Sequence, residues 1–389
     1  MAKVLVISPS GRVYNRDCVR WYRETLSSLD HYHNIGDAFV FDSSLKLLEF
    51  DHLDDCDIRT VEQKNIDRYN AEFDYVFLRG SNWIHNGMDW EKAAEVLPKL
   101  KIPIIAFGVG AQAPAQGKIV LSEDSQRIWK VISDHSTSLG VRGAYTAEVM
   151  SDLGIRNVRI VGCPTAFRNN KPNLRIDLPS LQSVKDVGFT VRREVSSEYS
   201  PDIERYLTRH RDTIKAMAKR FDIRLMMQGE VEEKFLIWGT EEQREATWKW
   251  FKAHEMLGKY FMDSEMENLY RKKLFYSDFV ADYEALVRQK DLVLGYRLHG
   301  NLMALSNAVP AIYFSYDSRT AEFAETFAIP CHDVYSDKSF VLEEYWDQAL
   351  FDRFNAAFRA RYQDMRQFLT ENGVPHRMRD GADLATKAA

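Results

Sequence analysis

The chain has 389 residues, a length that accommodates two domains of ordinary size. Hydrophobic residues make up 45% and charged residues 28%, the balance of a soluble globular protein. A formal net charge of -5, with no Lys/Arg-rich run, gives no support for nucleic-acid binding, and no apolar stretch approaches the ~18–20 residues of a membrane span.

Residues 4–7 are a short apolar strand, too short for a signal peptide, followed by turn chemistry in Ser8-Pro9-Ser10-Gly11. Residues 12–33 are polar and aromatic without a period. Asn34-Ile35-Gly36-Asp37 then opens a helix expected over 38–48, and an Asn or Asp there is a good N-cap. The run Asp51-His52-Leu53-Asp54-Asp55 reads as a solvated turn. Strands follow at 75–78, 102–107, 138–141 and 158–161, with helices at 90–97, 125–132 and 144–153 between them. The first of these strands ends at Arg79-Gly80-Ser81-Asn82, the second at Gly108-Val109-Gly110-Ala111-Gln112, and the third at Arg142-Gly143. Strand and helix alternate, which predicts a parallel α/β sheet.

Residues 169–183, rich in Asn, Pro, Ser and charge, read as an interdomain linker. A second series follows: strand 187–191, helix 202–220, strand 223–227, a long aromatic helical region over 241–270, helix 283–288, strand 292–295, helix 301–307 and strand 311–314. A helical tail over 342–369 is expected to pack back on the body, and residues past Gly373 to be poorly ordered. The fold expected is α/β, with two Rossmann-like domains facing across a cleft. Their bounds are 1–172 and 184–340, with a helical tail at 341–389.

Cys18, Cys56, Cys163 and Cys331 are scattered, with no C-x-x-C pair, so neither a zinc site nor a redox motif is suggested and no metal is assigned. Four isolated thiols fit a reducing, cytoplasmic compartment. Work at the inner face of the membrane on a lipid-linked substrate stays compatible with this.

The most informative stretch is Gly295-Tyr296-Arg297-Leu298-His299-Gly300-Asn301. It places an arginine and a histidine at the carboxyl end of a buried strand, where open α/β sheets bind ligands. If the segment is extended, Arg297 and His299 point the same way. Arginine holds carboxylates and phosphates bidentately, histidine is the commonest general acid or base near neutral pH, and a helix start near Asn301 would add backbone donors for an anion. Arg142 also precedes a helix, where a cation is unfavourable unless an anion or an acid offsets it. Gly108-Val109-Gly110 only partly matches a dinucleotide fingerprint. Pro114 and Gly117 spoil the following helix, so these glycines read as sites of close backbone approach.

In order and spacing, Asn34-x-Gly36-Asp37, Gly108-x-Gly110, Val141-Arg142 with Leu153-Gly154-Ile155, and Arg297-x-His299 with Val309-Pro310, Tyr316 and Arg319 resemble the polysaccharide pyruvyl transferase family. The resemblance implies a fold similar to two-domain GT-B glycosyltransferases. It implies transfer of the pyruvyl unit of phosphoenolpyruvate onto hydroxyls of a saccharide or lipid-linked oligosaccharide as a ketal, without metal or organic cofactor. It carries over Asp37, Arg142, Arg297 and His299. His299 is then the candidate acid and Asp37 the candidate base. Arg142, Arg297, Asn301, Gly108, Gly110, Tyr316 and Arg319 would bind substrate. Five features depart from the family pattern, the first an insertion of roughly twenty residues between the first strand and Asn34. Arg79-Gly80-Ser81 stands at an expected glycine cluster, Gly143 at an expected acid, Cys163-Pro164 at an expected Asp-Pro, and Arg319 at an expected lysine. The rival readings are a GT-B glycosyltransferase using a nucleotide sugar and a non-catalytic carbohydrate-binding protein.

Overall fold

The structure, a computed structural model, describes residues 2–8, 12–15, 18–21, 29–57, 62–85, 87–113, 116–193, 196–197 and 199–380. Its strands in chain order are β1 (Lys3–Ser8), β2 (Arg12–Asn15), β3 (Cys18–Trp21), β4 (His52–Asp57), β5 (Tyr75–Arg79), β6 (Ile104–Val109), β7 (Leu139–Val141) and β8 (Val158–Ile160). The series continues with β9 (Asp186–Thr190), β10 (Asp222–Met226), β11 (Leu274–Phe275), β12 (Leu292–Gly295), β13 (Ala311–Ser315) and β14 (Cys331–Asp333).

These strands form two parallel six-stranded sheets, β4-β1-β5-β6-β7-β8 and β11-β10-β9-β12-β13-β14, plus the antiparallel hairpin β2-β3. Both sheets are doubly wound. Chain order reverses between β1 and β5 in the first and between β9 and β12 in the second. Such reversals leave a crevice at the carboxyl ends of the strands.

The apolar runs make these strands because both faces are buried. Alternation still sorts their side chains. Val4, Val6, Phe77 and Phe107 join the core that continues into the second sheet, whereas Leu5, Ile7, Val76 and Leu78 pack with Trp90 and Trp129 on the other face. The last helix, Gln348–Glu371, returns to the first sheet: Phe368 packs on Phe107 at 5.9 Å, and Arg159 binds Glu371 at 2.7 Å.

The carboxyl edges of the two sheets face each other. Ile35 N–H donates to Gln228 O at 2.8 Å. Ala113 N–H donates to Ser318 Oγ at 3.0 Å, and that hydroxyl donates back to Ala113 O at 2.8 Å. Buried Arg168 bridges Asp42 at 2.7 Å and Glu284 at 2.6 Å. Among the described residues no helix is long and apolar enough to cross a membrane.

Several expectations need correction. The acidic run at 51–55 is not a turn: His52 to Asp55 lie in β4, paired in register with β1. An edge strand can carry charge on its solvent side, so hydrophilicity did not exclude it. The region 241–270 is three helices, Glu241–Ala253, Glu255–Tyr260 and Ser264–Lys273, because His254 and Asp263 each cap a new start. The tail divides at Trp346-Asp347 into Leu342–Tyr345 and Gln348–Glu371. Residues just past Gly373 are packed: Val374 and Met378 are buried, and Arg377 N–H donates to Leu47 O. The turn residues 9–11, Pro114 and the stretch 381–389 lie outside the described residues.

Candidate functional site

The reversal in the second sheet sets the geometry. Thr190 and Gly295 end β9 and β12 side by side. Gly295 takes φ +135, and a Cβ there would lie 2.4 Å from Thr190 O, so glycine is required for the strands to close up. The chain then turns through Arg297, the N-cap of helix Leu298–Ser306. Asn301 fastens this turn. Its Nδ2 donates to Gly295 O at 2.9 Å and its Oδ1 accepts from the Thr190 hydroxyl at 3.0 Å.

The sequence reading of Asn301 and of the Arg297/His299 pair is therefore revised. The helix begins at Leu298, three residues earlier than expected, and the Asn301 N–H already bonds Arg297 O. The free donors of a helix start belong to its first residues, here Leu298, His299 and Gly300. Asn301 builds the turn and has both side-chain ends occupied inside the protein. Because the segment is helical after Arg297, the two side chains do not share one direction.

Arg297 turns toward β9 and helix Val231–Trp238. Its Nε donates to Val191 O at 3.0 Å, and it forms an ion pair with the buried Glu230. Its Nη1 has no hydrogen-bond partner among the described residues. The Tyr32 hydroxyl reaches the same guanidinium. Beside it, Tyr32, Arg192, Arg193, Tyr199, Glu230, Val231 and Glu232 line a cavity of about 360 Å³.

His299 lies on the other side of the helix start, under the opening turn of helix Ile35–Leu47. A Cβ on Gly36 would sit 3.0 Å from His299 Nδ1 and 2.9 Å from Gln228 Oε1, so the glycine permits this approach. Asn34 caps that helix by accepting from Gly36 N–H at 3.1 Å, and Asp37 occupies its first turn. Burial lowers the His299 pKa to about 3; Asp37 opposes the shift, while Arg142, Arg79 and Arg319 add to it. The imidazole is thus neutral at pH 7, with one carboxylate and three guanidinium groups close enough to act on it.

Two of those guanidinium groups come from the first sheet. Arg142 is 1% exposed; its Nη1 donates to Asn82 Oδ1 at 2.6 Å and its Cζ lies 4.7 Å over the Phe323 ring. Gly110 makes room for it, since a Cβ there would lie 2.4 Å from Arg142 Cζ. Gly108, at φ +69, would strike Pro164 at 2.9 Å if it carried a Cβ. Close approach is therefore the role of both glycines, although what approaches is the protein itself. Arg79 is 0% exposed at the end of β5; its Nη1 donates to Gly80 O at 2.8 Å and lies 3.4 Å from Asp37 Oδ1. Among the described residues, Arg79 Nε and Nη2 and Arg142 Nε have no hydrogen-bond partner. Burial lowers the pKa of both arginines. Burial also pushes the Cys163 thiol up, with Arg142 and Arg79 opposing. A neutral thiol therefore stands where the family resemblance expects a carboxylate, and it leaves both cations unneutralised from that side.

Arg319 is committed to its own acid: Nε and Nη2 hold Asp317 Oδ2 at 2.7 and 2.6 Å, and Nη2 donates to the Tyr316 hydroxyl at 3.3 Å. Tyr316 is buried, and burial raises its pKa.

The structure thus gathers Asp37, Arg142, His299 and Arg319 in one place, sets Arg297 on the adjoining cavity, and leaves Gly108, Gly110 and Asn301 as builders. Sequence reasoning missed Arg79, whose signal was present: an arginine closing a buried strand, as in the stretch before His299. It also missed Asn82, Gln228 and Glu230, for which no local pattern existed.

A family model described as "Polysaccharide pyruvyl transferase" matches residues 34–318. The search among curated proteins finds no match. Among solved structures, the chain is similar to the UDP-GlcNAc 2-epimerase of Methanocaldococcus jannaschii (13% identity, 91% of this chain and 93% of that one, TM-score 0.42). It is also similar to the UDP-N-acetylglucosamine 2-epimerase of Rickettsia bellii (13%, 96% and 97%, 0.44) and to an α,α-trehalose-phosphate synthase of Burkholderia vietnamiensis (10%, 100% and 99%, 0.41).

Proposed function

The chain belongs to the polysaccharide pyruvyl transferase family, and from that premise we propose that it transfers the pyruvyl unit of phosphoenolpyruvate onto two hydroxyls of a saccharide, free or lipid-linked, in the cytoplasm. One observation carries the reading of the donor. Buried Arg79 and Arg142 hold guanidinium N–H groups that have no hydrogen-bond partner among the described residues, beside a neutral His299. A buried charged donor left unpaired is costly, by roughly 1–3 kcal/mol or more. A small molecule with a carboxylate and a phosphate would satisfy these groups, and charge-assisted hydrogen bonds contribute about 1.5–3 kcal/mol each.

In this reading Arg79, Arg142 and the N–H groups of Leu298, His299 and Gly300 bind the donor's anionic groups, and Arg297 faces the junction with the acceptor. The donor's negative charge opposes the burial and the guanidinium groups that hold the His299 pKa low, so the ring takes up a proton on binding. His299 then delivers that proton to the methylene carbon, leaving an oxocarbenium-like C2. A sugar hydroxyl attacks C2 and gives its proton to Asp37. Phosphate leaves with the proton from Asp37, and the second hydroxyl attacks C2 and gives its proton to the now-neutral His299, closing the ketal. The cavity walled by Tyr32 and Tyr199 suits the acceptor, since aromatic faces and carboxylates are what a hydroxyl-rich ring can use. The reaction asks for no metal or organic cofactor.

The test is to mix the purified protein with phosphoenolpyruvate and a panel of methyl glycosides, following phosphate release and the mass of the glycoside. Release coupled to a pyruvylated glycoside supports the proposal. Absence of release, together with tight binding of UDP or GDP, would replace it by nucleotide-sugar chemistry.

A further inference from the structure

Helix Ala144–Asp152 starts directly after Arg142, yet its N-cap is Gly143, which has no side chain to serve the opening N–H groups. The missing acceptor comes from the other sheet's side of the seam. Glu322, on helix Ser318–Phe327, is 0% exposed. Its Oε1 accepts from Thr146 N–H at 2.7 Å and its Oε2 from the Thr146 hydroxyl at 3.0 Å. Thr146 is the third residue of its helix, the position whose N–H an N-cap side chain normally satisfies. The Thr146 hydroxyl in turn accepts from Ala111 N–H at 3.0 Å. One carboxylate therefore ties the loop after β6 to the turn that carries Arg142.

The glycine is what admits it. A Cβ on Gly143 would lie 2.4 Å from Thr326 Oγ1, 2.5 Å from Glu322 Cγ and 2.9 Å from Cδ. The neighbour of Glu322, Phe323, presents the ring on which the Arg142 guanidinium rests at 4.7 Å. Cap, ring and cation thus form one unit drawn from both halves of the chain.

We propose that Glu322 is a positioning residue: it supplies, from across the seam, the N-cap that Gly143 lacks, and so holds Arg142 in the pose that receives the donor's anionic group. This rests on the reading of Arg142 as a donor-binding cation. The consequence is that the Arg142 side of the site is complete only while the two sheets' carboxyl edges are apposed.

The experiment is a cycle of Glu322→Ala, Gly143→Asp and the double variant in the full chain, all in a Thr326→Ala background that clears the other atom a Cβ on Gly143 would strike and serves as the reference. Phosphoenolpyruvate affinity is read by calorimetry, and KM for donor and acceptor by phosphate release. Glu322→Ala should weaken phosphoenolpyruvate binding about tenfold, as expected for a lost cap and a loosened cation, while the acceptor KM stays. Gly143→Asp alone, colliding with Glu322, should weaken it too. The double variant, with the cap now local, should return to within about threefold of the wild type, a non-additivity that independent sites do not show. If Glu322→Ala does not fold, Glu322→Gln is read alone: its amide oxygen still accepts from Thr146 N–H, so phosphoenolpyruvate binding within about threefold of the wild type is expected, and a loss of about tenfold would overturn the cap in favour of the carboxylate's charge. Binding as tight as or tighter than wild type in Glu322→Ala would overturn the proposal, because the carboxylate would then only offset the charge of Arg142. A double variant that regains thermal stability without regaining affinity would overturn it as well. A wild-type protein that does not bind phosphoenolpyruvate sinks the proposed function itself, and the positioning role with it. Wild-type binding unchanged in Glu322→Ala removes the positioning role alone.

Discussion

Replacing Gly110 by alanine adds one methyl group at the point where the site is tightest. The new Cβ would stand 2.4 Å from Arg142 Cζ, 2.5 Å from Nη1 and 2.7 Å from Nε. Carbon contacts are comfortable near 3.5–4.0 Å, so the guanidinium must retreat by roughly 1 Å. That movement strains the 2.6 Å bond to Asn82 and the stacking on Phe323. A charged hydrogen bond contributes about 1.5–3 kcal/mol and a desolvated cation–π contact about 2 kcal/mol, and part of each is forfeited. The expected result is a loss of phosphoenolpyruvate affinity of about 10- to 100-fold, or ~1.4–2.8 kcal/mol. Titration calorimetry measures it, with Gly117→Ala as the control, because a Cβ at that position meets nothing within 4 Å. Wild-type affinity in Gly110→Ala would show that the donor does not depend on where the Arg142 guanidinium rests, and the site as drawn here would be wrong.

Three further outcomes follow from the same geometry. His299 has its folded pKa lowered to about 3 by burial, so its contribution to stability is whole above its ordinary pKa of about 6.5 and is lost as pH falls from there toward 3. Urea unfolding at about pH 7 and about pH 5 should cost the wild type about 2 kcal/mol more than His299→Gln, at ~1.4 kcal/mol per pH unit for one proton below 6.5; equal pH slopes would contradict the burial argument. Arg168→Ala removes the buried partner shared by Asp42 and Glu284 and leaves them the more exposed Lys46 and, for Glu284, Arg288; the Glu284 pKa is now lowered to about 2, burial opposing and Arg168 prevailing. Denaturant titration should show a loss of about 3–5 kcal/mol, and a loss below about 1 kcal/mol would mean that solvent readily replaces the arginine. Asn301→Ala removes both ties of the turn before helix Leu298–Ser306 and should cost about 2–3 kcal/mol of stability, read in the same way. An Asn301→Ala protein as stable as wild type but deficient in donor binding would return that residue to the substrate.

What the amino-acid sequence determined by itself is the set of buried strands and the chemistry at their ends. Runs such as Leu292-Val293-Leu294 and Tyr75-Val76-Phe77-Leu78 declare themselves because apolar periodicity records burial directly. A cation or a glycine just past such a run marks the carboxyl edge where ligands gather, so Arg142, Arg297, Gly108 and Gly110 could be singled out one by one. Only the tertiary structure decided who meets whom. It put Arg297 on Glu230 and Arg319 on Asp317, and it gathered Arg79 with Arg142 at His299. It also brought Glu322 to Thr146, 176 positions away along the chain. The physical reason is that periodicity is written within a single element, whereas the pairing of charges depends on how two sheets, each stable in its own pattern, are turned edge to edge. No residue near Gly143 hints that its helix is capped from the other side, and no spacing shows that the helix after Arg297 begins early enough to turn His299 away from it.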